Sequence, residues 1–193
     1  MSKKILIING NPREESLSDA LVAAYAQGAK QAGHQVQIMV LRDLKFDPVL
    51  WNGYNKIQPL EADLQAAQEW LRWSQHTVWV FPTWWGGPPA LLKGFLDRAI
   101  LPSFGFKYRE NSPFWDKLLA GRSARIITTM DAPYLWYRLA YRSAGTALMR
   151  NAFLKFCGIK PVRSTHLDRV RYRKPAEVAK WLEKMTALGR KAR

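Results

Sequence analysis

A chain of 193 residues with 30 Lys and Arg against 15 Asp and Glu carries a formal charge of +15. That charge favours acidic partners such as nucleotides, nucleic acid or anionic surfaces, but it does not bear on fold. The single cysteine, Cys157, excludes an intrachain disulfide and a cysteine metal site, and no metal site is expected.

The length suffices for one full core and no Ser/Gly-rich linker interrupts it, so one domain over residues 1–193 is expected. No apolar run approaches the roughly 20 residues of a membrane span, and residues 1–5 lack a signal peptide's apolar region. No membrane insertion and a cytoplasmic location are therefore expected. Cys157, between Phe156 and Gly158, is expected to be a buried small hydrophobe.

Residues 3–9 form a short apolar run that suits a buried strand, which Gly10-Asn11-Pro12 breaks sharply. A helix follows, with Leu17, Leu21, Val22 and Tyr25 at helical spacing and Gly33 as its stop. The junction holds Asn11, Arg13, Ser16, Leu17 and Ser18. A strand that feeds a helix N-terminus through polar backbone presents unpaired N–H groups, hydroxyls and a cation, which together suit a phosphate. Ser16 or Ser18 can equally be a plain helix cap. Residues 35–41 alternate at first and predict a second strand near an edge. Residues 43–59 look irregular, and a helix is predicted over 61–73.

Residues 77–98 organise the chain. An apolar, β-branched and aromatic run predicts a strand buried on both faces, and Pro82 stops it for want of an N–H. Thr83-Trp84-Trp85-Gly86-Gly87 then makes a loop, and Pro88-Pro89 opens a helix. A loop at the carboxyl end of a central parallel strand is where open α/β sheets bind ligands, and indoles offer flat surfaces for stacking. The loop suits a flat heteroaromatic ligand, although Trp84 and Trp85 can equally be packing over a turn.

Residues 100–121 lack a period but are rich in rings, including Phe104, Phe106 and Tyr108; they read as a lid or a dimer surface, or else as a loop packed back on its own domain. A fourth strand over 123–130 ends in Thr128 and Thr129 at the same sheet edge, and a helical region follows to about residue 156. Its Tyr134 and Tyr137 are possible proton donors or ordinary packing. Residues 158–165 predict a last strand. The final helix opens with Pro175 and shows one apolar stripe through Val178, Trp181, Leu182, Met185 and Leu188. Strand and helix alternate about five times, which with right-handed crossovers predicts an α/β, doubly wound, five-stranded parallel sheet with helices on both faces, in flavodoxin-like order.

Residues 9–18, the Phe81-Pro82-Thr83-Trp84-Trp85-Gly86 loop with the following Pro89-Ala90-Leu91-Leu92-Lys93-Gly94-Phe95, and Phe156-Cys157-Gly158 resemble the flavodoxin-fold NAD(P)H:quinone oxidoreductases, the DT-diaphorase family. The likeness covers nearly the whole chain, and the aromatic loop with its helix is its most specific part. It implies bound FMN, or alternatively FAD, which takes hydride from NADH or NADPH and is reoxidised by a quinone-like acceptor in two half-reactions at one shared site. Carried over position by position, it assigns Asn11, Arg13, Ser16, Leu17 and Ser18 to the flavin phosphate. Pro82, Thr83, Trp84, Trp85 and Gly86 fall beside the ring, with backbone N–H groups of residues 83–87 near its reactive edge. Thr128 and Thr129, followed by Met130 and Asp131, fall at its pyrimidine side. Phe104, Phe106 and Tyr108 match the excursion that covers a neighbouring subunit's site, which implies a homodimer.

Two departures stand out. Met130-Asp131 replaces a glycine pair, and Tyr134 matches the family's catalytic tyrosine across a shorter spacer. The only histidines are His34, His76 and His166, none of them between Thr129 and Phe156 where the family's relay histidine falls. The alternatives are an azo- or nitro-reductase on the same fold, or a regulatory or binding role in which the basic C-terminal residues meet an acidic or nucleic-acid partner. Nucleic acid is the weaker of these, because basic runs are usually solvated faces.

Overall fold

A computed structural model describes residues 2–192 of the chain; Met1 and Arg193, the ends of the expected 1–193 domain, lie outside the described residues. Strands β1 (Lys4–Asn9), β2 (Gln35–Val40), β3 (His76–Pro82), β6 (Ser123–Thr129) and β7 (Val162–Leu167) form one parallel sheet in the order β2-β1-β3-β6-β7. This is the expected doubly wound α/β arrangement, with β2 at an edge.

The period of two along the strands divides the core. Ile5 and Ile7 of β1 and Val78 and Val80 of β3 face one side of the sheet, where Leu21, Val22, Tyr25 and Ala29 of α1 (Leu17–Gln31) and Met185 of α6 (Pro175–Arg190) cover them. Leu6, Ile8, Trp79 and Phe81 face the other side, beneath Leu64 and Leu71 of α2 (Ala62–Trp73) and Leu92 and Phe95 of α3 (Ala90–Ala99). Strands buried on both faces must read as continuous apolar runs, which is why β1 and β3 carry so little polarity. Helices α1 and α6 touch backbone to backbone. A Cβ on Gly28 would lie 2.0 Å from the Thr186 carbonyl oxygen, and one on Gly189 would lie 2.1 Å from that of Tyr25.

The irregular segment before α2 is tied down by one side chain. Arg98, fully buried on α3, pairs with Glu61 at 2.8 Å and donates to the Pro59 carbonyl at 2.9 Å and to that of Asp47. A buried charge persists only when paired and hydrogen-bonded, so this guanidinium holds both ends of the loop.

Three expectations are corrected. Residues 100–121 contain an antiparallel hairpin of β4 (Phe106–Tyr108) and β5 (Trp115–Lys117). Phe104 and Phe106 are buried within the core of their own chain, where Phe106 meets Phe156 edge to face at 5.0 Å; only Tyr108 stays exposed. These two phenylalanines therefore pack back on their own domain, the second of the two expected arrangements. The helical region after β6 is broken into α4 (Tyr134–Ala140), α5 (Ala144–Ala147) and a π-helical segment (Leu148–Lys155). The break falls at Arg142 and Ser143, whose φ values of 50° and 53° are left-handed and incompatible with a continuous helix. Finally, β7 spans Val162–Leu167 rather than 158–165, which brings His166 into the sheet.

Candidate functional site

The carboxyl ends of β1, β3 and β6 meet at one cleft of about 540 Å³, within the range of small-molecule sites. Its first wall is the N-terminus of α1. Asn9, buried at the end of β1, accepts from the Asn11 N–H at 3.1 Å and donates to Asp19 at 2.7 Å. Asn11 in turn donates to the Ser18 hydroxyl at 3.2 Å and accepts from the Arg13 N–H at 3.0 Å. Ser16 is the residue before the helix, and its N–H and hydroxyl both donate to Asp19 at 2.8 Å. Burial alone would raise the Asp19 carboxyl. The hydrogen bonds from Ser16, and Arg42 at 3.0 Å, outweigh it and hold the group below the ordinary carboxylate range. Asp19 therefore stays charged while it shapes the loop. Asn11, Arg13, Ser16, Leu17 and Ser18 all line the cleft at the positive end of a 15-residue helix.

The second wall is the aromatic loop. Trp84 and Gly87 exchange two backbone hydrogen bonds of 2.9 Å, and the central residues Trp85 and Gly86 have φ values of 49° and 74°. Two left-handed central residues define a tight turn of the primed type. A tryptophan in that region is strained, so the surroundings must impose it. They do so at Gly86, whose carbonyl accepts from the Gly145 N–H at 2.9 Å and from the Tyr137 hydroxyl at 3.1 Å, while that hydroxyl accepts from the Thr146 N–H at 3.2 Å. Gly145 is obligatory, because a Cβ there would lie 2.7 Å from the Gly86 oxygen. The Trp85 side chain is left fully exposed.

This geometry refines the expectation for the loop's N–H groups. Thr83 donates to the Thr129 carbonyl at 2.8 Å, and Trp84 and Gly87 are bonded to each other, so among the described residues only Trp85 and Gly86 of the 83–87 stretch keep N–H groups without a backbone acceptor. The Thr83 hydroxyl is also buried and has no hydrogen-bond partner. A buried hydroxyl without a protein partner on the wall of a cleft calls for a polar partner such as a water or a ligand.

Thr129, Met130 and Asp131, at the end of β6, complete the floor with Ala132, Tyr137, Tyr141 and Val170. Pro82, Thr83, Trp84, Trp85 and Gly86 line it too, so most of the expected binding residues converge. Two expected residues lie elsewhere. Thr128 is buried with its hydroxyl 2.9 Å from His166 Nδ1, because successive strand side chains point to opposite faces. Tyr134 stacks on His166 with centroids 4.3 Å apart and planes 13° from parallel, and it is not among the residues that line the cleft. Burial, aided by Arg150, pushes His166 down to about 4, so it is neutral near pH 7. A histidine thus does stand beside Tyr134, but it comes from β7, outside residues 129–156. Tyr141 and Val170 were missed because the residue that ends α4 and the segment after β7 reach the cleft only through tertiary packing.

A family model described as flavodoxin-like fold matches residues 3–188. A ribosyldihydronicotinamide dehydrogenase-like protein, traD, of Penicillium crustosum is 29% identical over 152 residues; the alignment takes in 66% of this chain and 57% of that protein, so the chain spans little more than half of its length. The FMN-dependent NADH:quinone oxidoreductase of Azotobacter vinelandii is 29% identical over 182 residues, with 86% of this chain and 87% of that protein aligned. Among solved structures, Smu.1420 from Streptococcus mutans superimposes with a TM-score of 0.82 at 27% identity, covering 97% of this chain and 98% of the other.

Proposed function

This chain belongs to the flavodoxin-like fold family, and on that premise we propose that it is a flavin-dependent NAD(P)H oxidoreductase that binds FMN and reduces a quinone-type acceptor. The observation that carries the reading is the junction in one cleft of an anion-binding helix N-terminus, an imposed aromatic turn and the orphan Thr83 hydroxyl. Those residues fit the cofactor. A single anion end suits a mononucleotide, the indoles suit a flat ring, and the unpaired Thr83 hydroxyl suits that ring's polar edge.

When bound, the flavin would supply the redox chemistry, as acceptor of a hydride from NADH or NADPH and donor of two electrons to the quinone, which with the hydride's proton and one from solvent would leave as the quinol. The chain's own residues bind and orient. The N–H groups opening α1, with Arg13 and Ser18, hold the phosphate. The free N–H groups of Trp85 and Gly86 are fixed donors for negative charge on a bound ring, and preorganised donors of this kind need no reorientation during reaction. Tyr137, 2% exposed, positions those donors through the Gly86 carbonyl and is a positioning residue. Tyr141 and the exposed Trp85 border the open side of the cleft, where nicotinamide and quinone take turns. The homodimer implied by the resemblance is assigned to the β4–β5 hairpin, where Tyr108 and Phe114 remain exposed.

Steady-state turnover of NADH or NADPH with a water-soluble naphthoquinone tests the reading. Activity that requires added FMN and gives parallel double-reciprocal lines is expected. An absence of FMN-dependent turnover refutes the assignment, and intersecting lines refute the shared site.

A further inference from the structure

The loop that feeds α1 is held by a closed circuit of hydrogen bonds. The Asn11 N–H donates to the side-chain carbonyl of Asn9 at 3.1 Å, and the Arg13 N–H donates to that of Asn11 at 3.0 Å. The circuit returns through Asp19, which accepts from the Asn9 side-chain amide at 2.7 Å and from the Ser16 N–H and hydroxyl at 2.8 Å. One member comes from outside this segment. Arg42 donates to the Arg13 carbonyl at 3.3 Å and pairs with Asp19 at 3.0 Å, and so joins the two ends.

The place of Arg42 follows from the sheet. Asn9 stands opposite Val40 in the parallel register, so Arg42 lies just past the carboxyl end of β2, beside the loop that leaves β1. Buried Leu41 anchors the short turn Leu41–Asp43 that carries it. The Arg42 side chain is 18% exposed and does not line the cleft, and Asp43 reaches the same guanidinium only at 3.7 Å. A guanidinium is a planar fork of donors, so it can hold a carbonyl and a carboxylate at once. The strain in the loop gives that bridge its use. Glu15 has a φ of 48°, a left-handed value that a glutamate keeps only when its neighbours impose it. Arg42 fixes Arg13 on one side of it, and Asp19 fixes Ser16 on the other. Asp19 also brings a negative charge to the wall at the positive end of α1, and Arg42 is the cation set against it.

We propose that Arg42 is a positioning residue for the ligand's phosphate: by bridging the Arg13 carbonyl to Asp19 it fixes residues 11–18 in their anion-receiving form and offsets the Asp19 charge, so that the cleft takes a phosphorylated flavin in preference to an unphosphorylated one. The inference rests on the flavin reading of the cleft. Arg42 itself does not touch the ligand; it acts through the loop. Partly exposed ion pairs add little to global stability, so the effect of Arg42 falls on the anion site rather than on the fold.

Titration of the full chain with FMN and with riboflavin, joined to amide hydrogen exchange of the ligand-free protein, tests the role. In Arg42→Gln FMN affinity should fall about tenfold while riboflavin affinity stays within about twofold, because only FMN meets the loop through a phosphate. Exchange at the amides between Asn11 and Ser16 should quicken about tenfold in the same variant, with Tm within about 2 °C of wild type. Arg42→Lys keeps the charge without the fork and should lose about threefold in FMN affinity. The proposal is overturned if Arg42→Gln binds FMN as the wild type does, if it loses FMN and riboflavin alike, or if exchange in the loop is unchanged. Wild-type affinity in Arg42→Lys would equally overturn the bridge, because charge alone would then suffice. A wild-type chain that binds neither flavin refutes the proposed function instead. Inorganic phosphate, followed at the same amides, then decides for Arg42: weaker binding in Arg42→Gln sustains its role, and equal binding overturns it.

Discussion

Replacing Tyr137 with phenylalanine removes one oxygen from the point on which the aromatic turn rests. In the wild-type chain that oxygen donates to the Gly86 carbonyl at 3.1 Å and accepts from the Thr146 N–H at 3.2 Å, in a setting where Tyr137 is 2% exposed. In Tyr137→Phe the Gly86 carbonyl keeps its bond from Gly145, but the buried Thr146 N–H loses its acceptor. Because the Gly86 carbonyl stays bonded, the orphaned buried donor sets the cost, and a destabilisation of about 1–3 kcal/mol is expected. For a chain of this size that lowers Tm by about 2–4 °C for each kcal/mol.

The same change frees the strained Trp85–Gly86 turn to relax. FMN affinity, read by quenching of flavin fluorescence, should fall by up to about tenfold, the equivalent of about 1.4 kcal/mol of lost preorganisation. Tyr134→Phe is the control. Its ring lies outside the cleft on His166, so FMN affinity should not change. Wild-type Tm and wild-type FMN affinity in Tyr137→Phe would refute the positioning role, and a loss of affinity confined to Tyr134→Phe would reverse the assignment of the two tyrosines.

Further outcomes follow from other contacts. Gly145→Ala places a Cβ 2.7 Å from the Gly86 oxygen and 2.8 Å from Gly87 Cα, both backbone atoms that cannot swing aside; a cost of about 1–3 kcal/mol and weakened FMN binding are expected in denaturation and titration, and wild-type values in both would contradict the packing. His76, buried with its Nε2 3.2 Å from the Tyr25 hydroxyl and Nδ1 2.8 Å from the Ser123 hydroxyl, is pushed down to about 3 by burial and then by nearby cations. The unfolded chain therefore takes up the proton that the folded chain refuses. Its contribution is complete above about pH 6.5 and is lost as pH falls toward 3, amounting to about 2 kcal/mol between pH 6.5 and 5. Urea midpoints should fall over that interval, and less so in His76→Gln; equal slopes in the two proteins would contradict this. Cys157 is buried, and desolvation pushes its thiol up to about 12. It should resist thiol reagents at pH 8 until the chain unfolds, and rapid stoichiometric labelling of the native protein would show the burial to be wrong.

The parts legible in the sequence were those whose cause is local. Pro82 ending β3, Pro88-Pro89 opening α3 and Pro175 opening α6 act through their own missing N–H and fixed φ, so strand, loop and helix could be read in place. The apolar runs of β1 and β3 revealed burial on both faces, and with it the doubly wound sheet and the edge where the cleft lies. What failed depended on partners distant in sequence. Phe104 and Phe106 look like lid aromatics until Phe156 and the core around α2 and α3 are seen to receive them. The three-residue strands β4 and β5 are too short to show a period. Nothing in Arg142-Ser143 announces a left-handed break, because neither is a residue that favours that conformation. Tyr137 rather than Tyr134 reaches the cleft because that break and the Gly145 contact set the rotation of α4, and His166 meets Tyr134 only because β7 lies beside β6.

Titration of the purified protein with FMN, followed by addition of NADH or NADPH to the complex, tests the central claim most directly. A stoichiometric complex whose flavin absorbance bleaches with the nicotinamide and returns on adding a quinone is the predicted result. A chain that retains no flavin, or holds one that neither nicotinamide reduces, would contradict the account.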